Sequence, residues 1–270
     1  MPELPEVETV KNQLSPHIIG RTIAKVTLLW DRMVKGQDPA EFVKRIAGQK
    51  ILDVTRQGKY LIVHLRSGNK MIIHLKMTGS LILGENNSEP PIYTRAIIHL
   101  DDGQNIYFRD PRKFGILNLV EDTKEIEAKL GPEPLETDFT LKYFTDGLLK
   151  RSAPVKSVIL EQKFIAGVGN MYADEALFLA RIDPRRPANK VKKAEIKRLY
   201  DAIHDVLMAG IKFGGASVVT YFHPDGSVGT AHQHFNVAHN QKKECPVCGG
   251  PIKRVVVGGR GSYYCPKCQK

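Results

Sequence analysis

The chain holds no apolar run of about 18 residues, the length a helix needs to span a bilayer. Its start also lacks the charged lead and apolar stretch of a secretory leader. These absences argue against a membrane-spanning or exported protein, and a cytoplasmic location is expected. Cysteine is absent before position 245, so no thiol is available for redox chemistry in most of the chain. Internal repeats and low-complexity segments are missing, which excludes a solenoid or a disordered tail. Acidic residues are scarce: 29 Asp and Glu stand against 40 Lys and Arg, giving a formal charge of +11, with the excess mostly in the C-terminal half. A polyanionic partner accounts for such a balance, because phosphate neutralisation releases counterions.

What is present begins with the four cysteines, Cys245-Pro-Val-Cys248 and Cys265-Pro-Lys-Cys268, with sixteen residues between the pairs. This is the two-knuckle spacing of a tetrahedral zinc site. Two disulfides would fit a secreted protein, which the missing leader argues against. Four thiolates leave no coordination position for water, so the expected zinc is structural.

With 270 residues, 42% of them hydrophobic, the chain can fill two compact domains and an appendage. A first helix is expected from Pro5, ending near Ser15-Pro16, with Val7, Val10 and Leu14 on one stripe. Arg21 to Trp30 reads as a strand, and Asp38-Pro39 opens a short helix stopped by Gly48. The period then shifts toward two, and Lys50–Arg56, Tyr60–Leu65, Lys70–Met77, Ala96–Leu100, Asn105–Phe108 and Ile116–Val120 read as strands. So many short strands argue for a β-sandwich or barrel. Gly131-Pro132-Glu133-Pro134 marks an interdomain break, after which helices are expected over Leu141–Leu149, Val155–Ile165, Met171–Arg181 and Lys193–Phe213. The fold class is thus α+β multidomain: residues 1–130 form an N-terminal domain, 131–137 a linker, 138–235 a helical domain ending in a long loop, and 236–270 a zinc finger. That loop, Gly214 to Gln241, reads as functional or poorly ordered. Val255 to Tyr264 reads as a β-hairpin displaying Arg260.

Several residues could carry chemistry. Loss of Met1 would leave Pro2 as a terminal secondary amine, next to the Glu3 carboxylate. An α-amino group titrates near ~8, and the positive end of the following helix would lower it further, toward a nucleophile. Against this, Met-Pro is a common start and Glu3 would serve as a helix cap. Lys59, at a turn, reads as a proton donor, a phosphate contact or a solvated lysine. Met77 and, taken alone, Phe114 read as core residues. In Arg109-Asp110-Pro111-Arg112-Lys113-Phe114-Gly115, however, a cation and an aromatic sit where they could together wedge between bases. Ala166-Gly167-Val168-Gly169-Asn170 is an interhelical turn whose asparagine reads as an N-cap or as part of a phosphate grip.

Together these pieces resemble the bacterial formamidopyrimidine-DNA glycosylase family. The resemblance runs through Pro2-Glu-Leu-Pro-Glu-Val-Glu-Thr9, Gly58-Lys59, His74-Leu-Lys-Met77, Asp110-Pro-Arg-Lys-Phe-Gly115, Leu130-Gly-Pro-Glu-Pro134, Gly167 to Glu175 and Gly259 to Cys265. The related endonuclease VIII branch typically has Gly where this chain has Leu4. The resemblance implies a β-sandwich, a helix-two-turn-helix domain carrying a lesion-capping loop, and a zinc finger. It implies a base-excision-repair glycosylase and abasic-site lyase for oxidised purines, a monomer acting on damaged duplex DNA and nucleoid-associated when bound. Pro2 would form a Schiff base at C1′, Glu3 would act on the opening sugar, and Lys59 would assist proton transfers. Met77, Arg112 and Phe114 would fill the void left by the extruded base. His74, Lys156, Asn170 and Arg260 would contact phosphates, and Cys245, Cys248, Cys265 and Cys268 would hold the zinc, with no catalytic metal or organic cofactor. Two departures stand out. Some family members carry Glu where this chain has Thr78, and the stretch Ala231 to Asn240 is unusual, which bears on lesion preference. An oxidised-pyrimidine glycosylase and a non-catalytic zinc-ribbon binder are the competing readings. The binder gives no reason for Pro2-Glu3.

Overall fold

The computed structural model describes residues 1–85, 88–217, 221–240 and 244–270. Residues 218–220 and 241 of the long loop therefore lie outside the described residues. The chain divides into two compact units: Met1–Glu125 with Phe213–Thr230, and Ile126–Lys212 with Ala231–Lys270. The segment 213–230, expected with the helical domain, clusters with the first unit because its backbone bonds to the first helix.

In the first unit, α1 (Leu4–Ile18) and α2 (Pro39–Ile46) accompany eight strands: β1 (Ile23–Leu28), β2 (Ile51–Gln57), β3 (Tyr60–Leu65), β4 (Lys70–His74), β5 (Ser80–Glu85), β6 (Thr94–Leu100), β7 (Gln104–Arg109) and β8 (Ile116–Val120). They form two four-stranded antiparallel sheets, ordered β1-β6-β7-β5 and β2-β3-β4-β8. Alternate residues of both sheets, such as Val54, Val63, Ile73 and Ile98, share one core with Val7, Val10, Leu14 and Ile18 of α1. Each such aliphatic side chain contributes about 1.5–3 kcal/mol by leaving water. That burial explains why α1 continues past Pro16 to Ile18, although proline removes a backbone donor: Leu14 and Ile18 are both fully buried. Strand β5 was not legible in the sequence, since Leu-Ile-Leu-Gly shows no alternation.

The short α3 (Lys124–Glu127) lies at the division between the units. Beyond it come α4 (Leu141–Leu149), α5 (Val155–Ile159), α6 (Asn170–Ala180), α7 (Lys193–Lys212) and the hairpin β9 (Lys253–Val257) and β10 (Arg260–Tyr264). Helix α5 stops six residues short of the expected Ile165. Among the described residues no helix is long and apolar enough to cross a membrane. In α7 the stripe Ile196, Leu199, Ile203 and Leu207 is buried, as its spacing predicts. Gly210 belongs to the same helix because a Cβ there would stand 2.6 Å from the Tyr172 ring of α6.

Gly210→Ala tests that contact. Alanine ordinarily stabilises a helix interior by ~1 kcal/mol over glycine, but overpacking costs about 1–3 kcal/mol. Because the buried Tyr172 ring lies in the way, the variant is expected to unfold at lower denaturant concentration than wild type.

Candidate functional site

The chain start is buried where its sequence is most polar. Pro2 is buried and Glu3 is 1% exposed at the N-cap of α1. Glu6, fully buried, organises this end. Its Oε2 accepts the Glu3 N–H at 2.7 Å, and its Oε1 accepts the Ala216 N–H at 2.7 Å. The Tyr221 hydroxyl donates to the Glu6 carbonyl at 3.0 Å. Gly215, at φ +77°, allows this approach, since a Cβ there would meet Glu6 Cγ at 2.9 Å. Glu6 thus ties segment 213–230 to the residues beside Pro2, a role its place in the first helical turn did not announce.

A second link runs from α1 to Lys59. Glu8 accepts from Arg56 Nε at 2.7 Å, and Arg56 Nη1 donates to the Gly58 carbonyl at 3.0 Å. Burial would raise the Glu8 carboxyl, but hydrogen bonds from Lys11 and Arg56 prevail and hold it below its ordinary value. Arg56 therefore fixes the β2–β3 turn whose next residue is Lys59, itself 6% exposed. Its neighbour Tyr60 pairs with His74 across β3 and β4, the rings edge to face at 4.7 Å. The His74 imidazole is pushed down to about 3 by burial, with the charges of Lys76 and Lys59 adding to the effect. It is neutral at physiological pH, and its Nδ1 accepts the Lys76 N–H at 2.9 Å. That bond leaves Nε2 as the N–H donor.

Two turns carry the expected wedge. Met77 follows β4, while Arg112 and Phe114 follow β7. All three are exposed, so the core reading of Met77 (42% exposed) and Phe114 (48% exposed) is wrong. The turns are too short to fold their tips inward. The Arg112 guanidinium lies 4.8 Å from the Phe114 ring centroid, and Nη1 approaches Met77 Sδ at 3.2 Å. The structure thus brings the three side chains together.

In the second unit the N-cap of α6 is Gly169, which displaces Asn170 from the expected capping position. Asn170 instead donates through Nδ2 to the Gly261 carbonyl at 3.1 Å, beside exposed Arg260. The hairpin turns at Gly258-Gly259, both at positive φ, and Arg260 is the first residue of β10. Lys156, expected at a phosphate, is fully buried. Its Nζ lies 2.6 Å from Asp174 and donates to Ser262 Oγ at 2.8 Å. Lysine read from sequence is a surface cation, and only the packing of α6 and the hairpin around Lys156 brings it Asp174 and Ser262. Burial raises the Asp174 carboxyl to about 7, against the lowering effect of Lys156. Asp174 also accepts the Tyr263 N–H at 3.0 Å, and Glu175 accepts from the backbone of Asn236, Val237 and Ala238. These two acids of α6 brace the hairpin and the stretch before it. Their adjacency in sequence carries no sign of that.

The four cysteine sulfurs all lie within 4.8 Å of one another, and none is in a disulfide. Cys245 and Cys268 sulfurs are 3.8 Å apart, Cys248 and Cys265 sulfurs 3.5 Å. Four thiolates around Zn²⁺ at about 2.3 Å stand about 3.8 Å from each other. The donor set therefore fits a closed structural zinc.

These parts define a multidomain zinc-finger protein of the kind that acts on nucleic acid. Residues 1–117 match the formamidopyrimidine-DNA glycosylase N-terminal domain, 130–221 its H2TH domain, and 242–270 the zinc finger found in FPG and IleRS. The formamidopyrimidine-DNA glycosylase of Pelotomaculum thermopropionicum is 42% identical over all of this chain and 99% of its own length. The MutM (Fpg) protein of Thermus thermophilus superposes with a TM-score of 0.90 at 40% identity, covering 99% of this chain and 98% of that one. Lactococcus lactis Fpg in complex with DNA containing an abasic site gives 0.94 at 34% identity, with 99% of each chain covered. The chain belongs to the formamidopyrimidine-DNA glycosylase family.

His74 generates a test by pH. Because folding depresses its pKa below the usual 6.5, its contribution to stability is present above about pH 6.5 and is lost as pH falls toward 3. Wild type is expected to lose more stability than His74→Gln between about pH 7 and 4, measured by thermal unfolding.

Proposed function

We propose that this chain is a DNA glycosylase and abasic-site lyase that excises oxidised purines, using Pro2 as nucleophile once Met1 is removed. The observation that carries the reading is the Pro2-Glu3 start, buried and held by Glu6 at the positive end of a helix, where a terminal amine is favoured in its neutral form. Structures of Lactococcus lactis Fpg with Fapy-dG DNA and with abasic-site DNA support the substrate class.

In this mechanism the Pro2 nitrogen forms a bond to C1′ as the C1′–base bond breaks; the electron pair of that bond leaves with the base, which takes up the proton lost by the Pro2 nitrogen. Glu3 protonates the ring oxygen, the sugar opens, and a cationic iminium joins Pro2 to C1′. The iminium acidifies the C2′ proton. Its removal expels the 3′ phosphate, and a second elimination expels the 5′ phosphate. Lys59 serves these proton transfers.

The exposed Met77, Arg112 and Phe114 occupy the gap left by the extruded base, which offsets the cost of unstacking it, a few kcal/mol. In the second unit Asn170 and Arg260 contact the phosphate backbone, while Lys156 holds the hairpin that carries Arg260. His74 contacts a phosphate as a neutral N–H donor. Cys245, Cys248, Cys265 and Cys268 would hold the zinc, which would fix the base of that hairpin. The enzyme acts as a monomer in the cytoplasm and joins the nucleoid through its DNA.

Two measurements test the reading. Borohydride is expected to reduce the iminium and trap the protein on duplex DNA containing 8-oxoguanine opposite cytosine, with most trapping lost in Pro2→Gly. Efficient trapping of a protein still carrying Met1 would sink the proposed chemistry. Chelation of zinc, or Cys245→Ser, is expected to abolish DNA binding while the first unit stays folded; unchanged affinity by anisotropy would refute the role of the hairpin.

A further inference from the structure

We infer that the hydroxyl of Thr78 ties the two wedge-bearing turns into one body, and that Thr78 is a positioning residue for their insertion into the base stack. The inference rests on the reading of Met77, Arg112 and Phe114 as void-filling residues, and adds a device that supports them.

Asp110 is 1% exposed and receives hydrogen bonds from both turns. Its Oδ2 accepts the N–H groups of Phe114 and Gly115, each at 2.7 Å, and its Oδ1 accepts that of Arg112 at 3.2 Å. These three donors shape the turn that carries Arg112 and Phe114. The fourth donor comes from the other turn: Thr78 Oγ1 donates to Asp110 Oδ1. Asp110 is itself fixed to β6 and its approach, its N–H donating to the Tyr93 carbonyl at 2.9 Å and its carbonyl accepting from Arg95 Nε at 2.8 Å. The Met77 turn is thus anchored through Asp110 to β6 and its approach.

Both turns need such an anchor. Lys76 at φ +55° and Lys113 at φ +60° each place a non-glycine residue in the left-handed region, next to Met77 and Phe114 respectively. Gly79 closes the first turn so tightly that an added Cβ would stand 2.5 Å from the Leu75 carbonyl. Without the Thr78 tie, the Met77 turn has a more relaxed conformation available, and the tips lose their mutual contact. Held together, they enter the stack without first being ordered, which lowers the cost of binding.

The residue type at position 78 decides whether the tie exists. Glutamate, carried there by some family members, would set a second carboxylate beside Asp110. Threonine supplies a hydroxyl proton to it, 9% exposed. In this chain position 78 is part of the wedge support.

The test compares Thr78→Val and Thr78→Ala, which lack the hydroxyl, with Thr78→Ser, which keeps it. Asp110 retains its three backbone donors in all of them, so the second turn persists. The probe is a duplex with a tetrahydrofuran abasic analogue and 2-aminopurine beside the orphaned base, whose fluorescence rises as the wedge enters. Wild type and Thr78→Ser are expected to insert at the same rate. Thr78→Val and Thr78→Ala are expected to be slower by about tenfold, the effect of one hydrogen bond to a carboxylate. Equal rates for Val, Ala and wild type would overturn the inference, as would a Ser variant as slow as Val. Borohydride trapping at preformed abasic sites is scored separately. Normal wild-type insertion without trapping would defeat the Pro2 chemistry and leave the tie standing.

Discussion

The first unit depends on one buried carboxylate. Glu6 sits in the first turn of α1 with no exposure, and an acid placed there without partners would be strongly unfavourable. It is stable because each oxygen accepts a backbone N–H and the helix end supplies a positive field. The satisfaction of this acid and the position of the chain start are therefore the same event. Displacing the Glu3 N–H would take from Glu6 one of the hydrogen bonds that hold it out of water. The segment 213–230 is recruited by the same group from far along the chain, and Tyr221 completes the core beside α1. The chain start is constrained in this way although termini are otherwise the loosest part of a fold.

The second unit repeats the principle with two acids on one helix. Asp174 and Glu175 are adjacent in α6 and point to different partners, the β10 backbone with Lys156 on one side and residues 236–238 on the other. Helix α6 is thereby the spine on which the zinc hairpin is oriented. Lys156 and Asp174 are paired out of water, and removing either partner would leave the other buried without its counterpart, a change that costs about 3–5 kcal/mol. Arg260 remains exposed because the scaffolding is supplied by these neighbours.

Much of the fold was legible in the sequence. The two-residue period of most strands, the stripes of α1 and α7, the hairpin over 255–264 and the cysteine spacing are local signals, and local physics reads them correctly. The number and shortness of the strands point to a sandwich or a barrel, and only the strand pairing separates them into two four-stranded sheets. Strand β5 escaped because it carries no alternation, the end of α1 because packing overrode proline, and α5 because an apolar run does not distinguish a long helix from a short one in a buried turn.

The candidate site was legible in its chemistry and not in its supports. The sequence by itself determined which residue types stand at the candidate site: the Pro2-Glu3 start, the Arg112-x-Phe114 pair, Arg260 and the four thiols, because each is set by residue type and short spacing. Tertiary structure alone decided which polar side chains are exposed and which are buried. Met77 and Phe114 face solvent, whereas Lys156, Glu6 and Asp110 are buried, each paired with groups distant in the sequence. A charge stays out of water only where the fold brings it a partner, and no local pattern records that partner in advance.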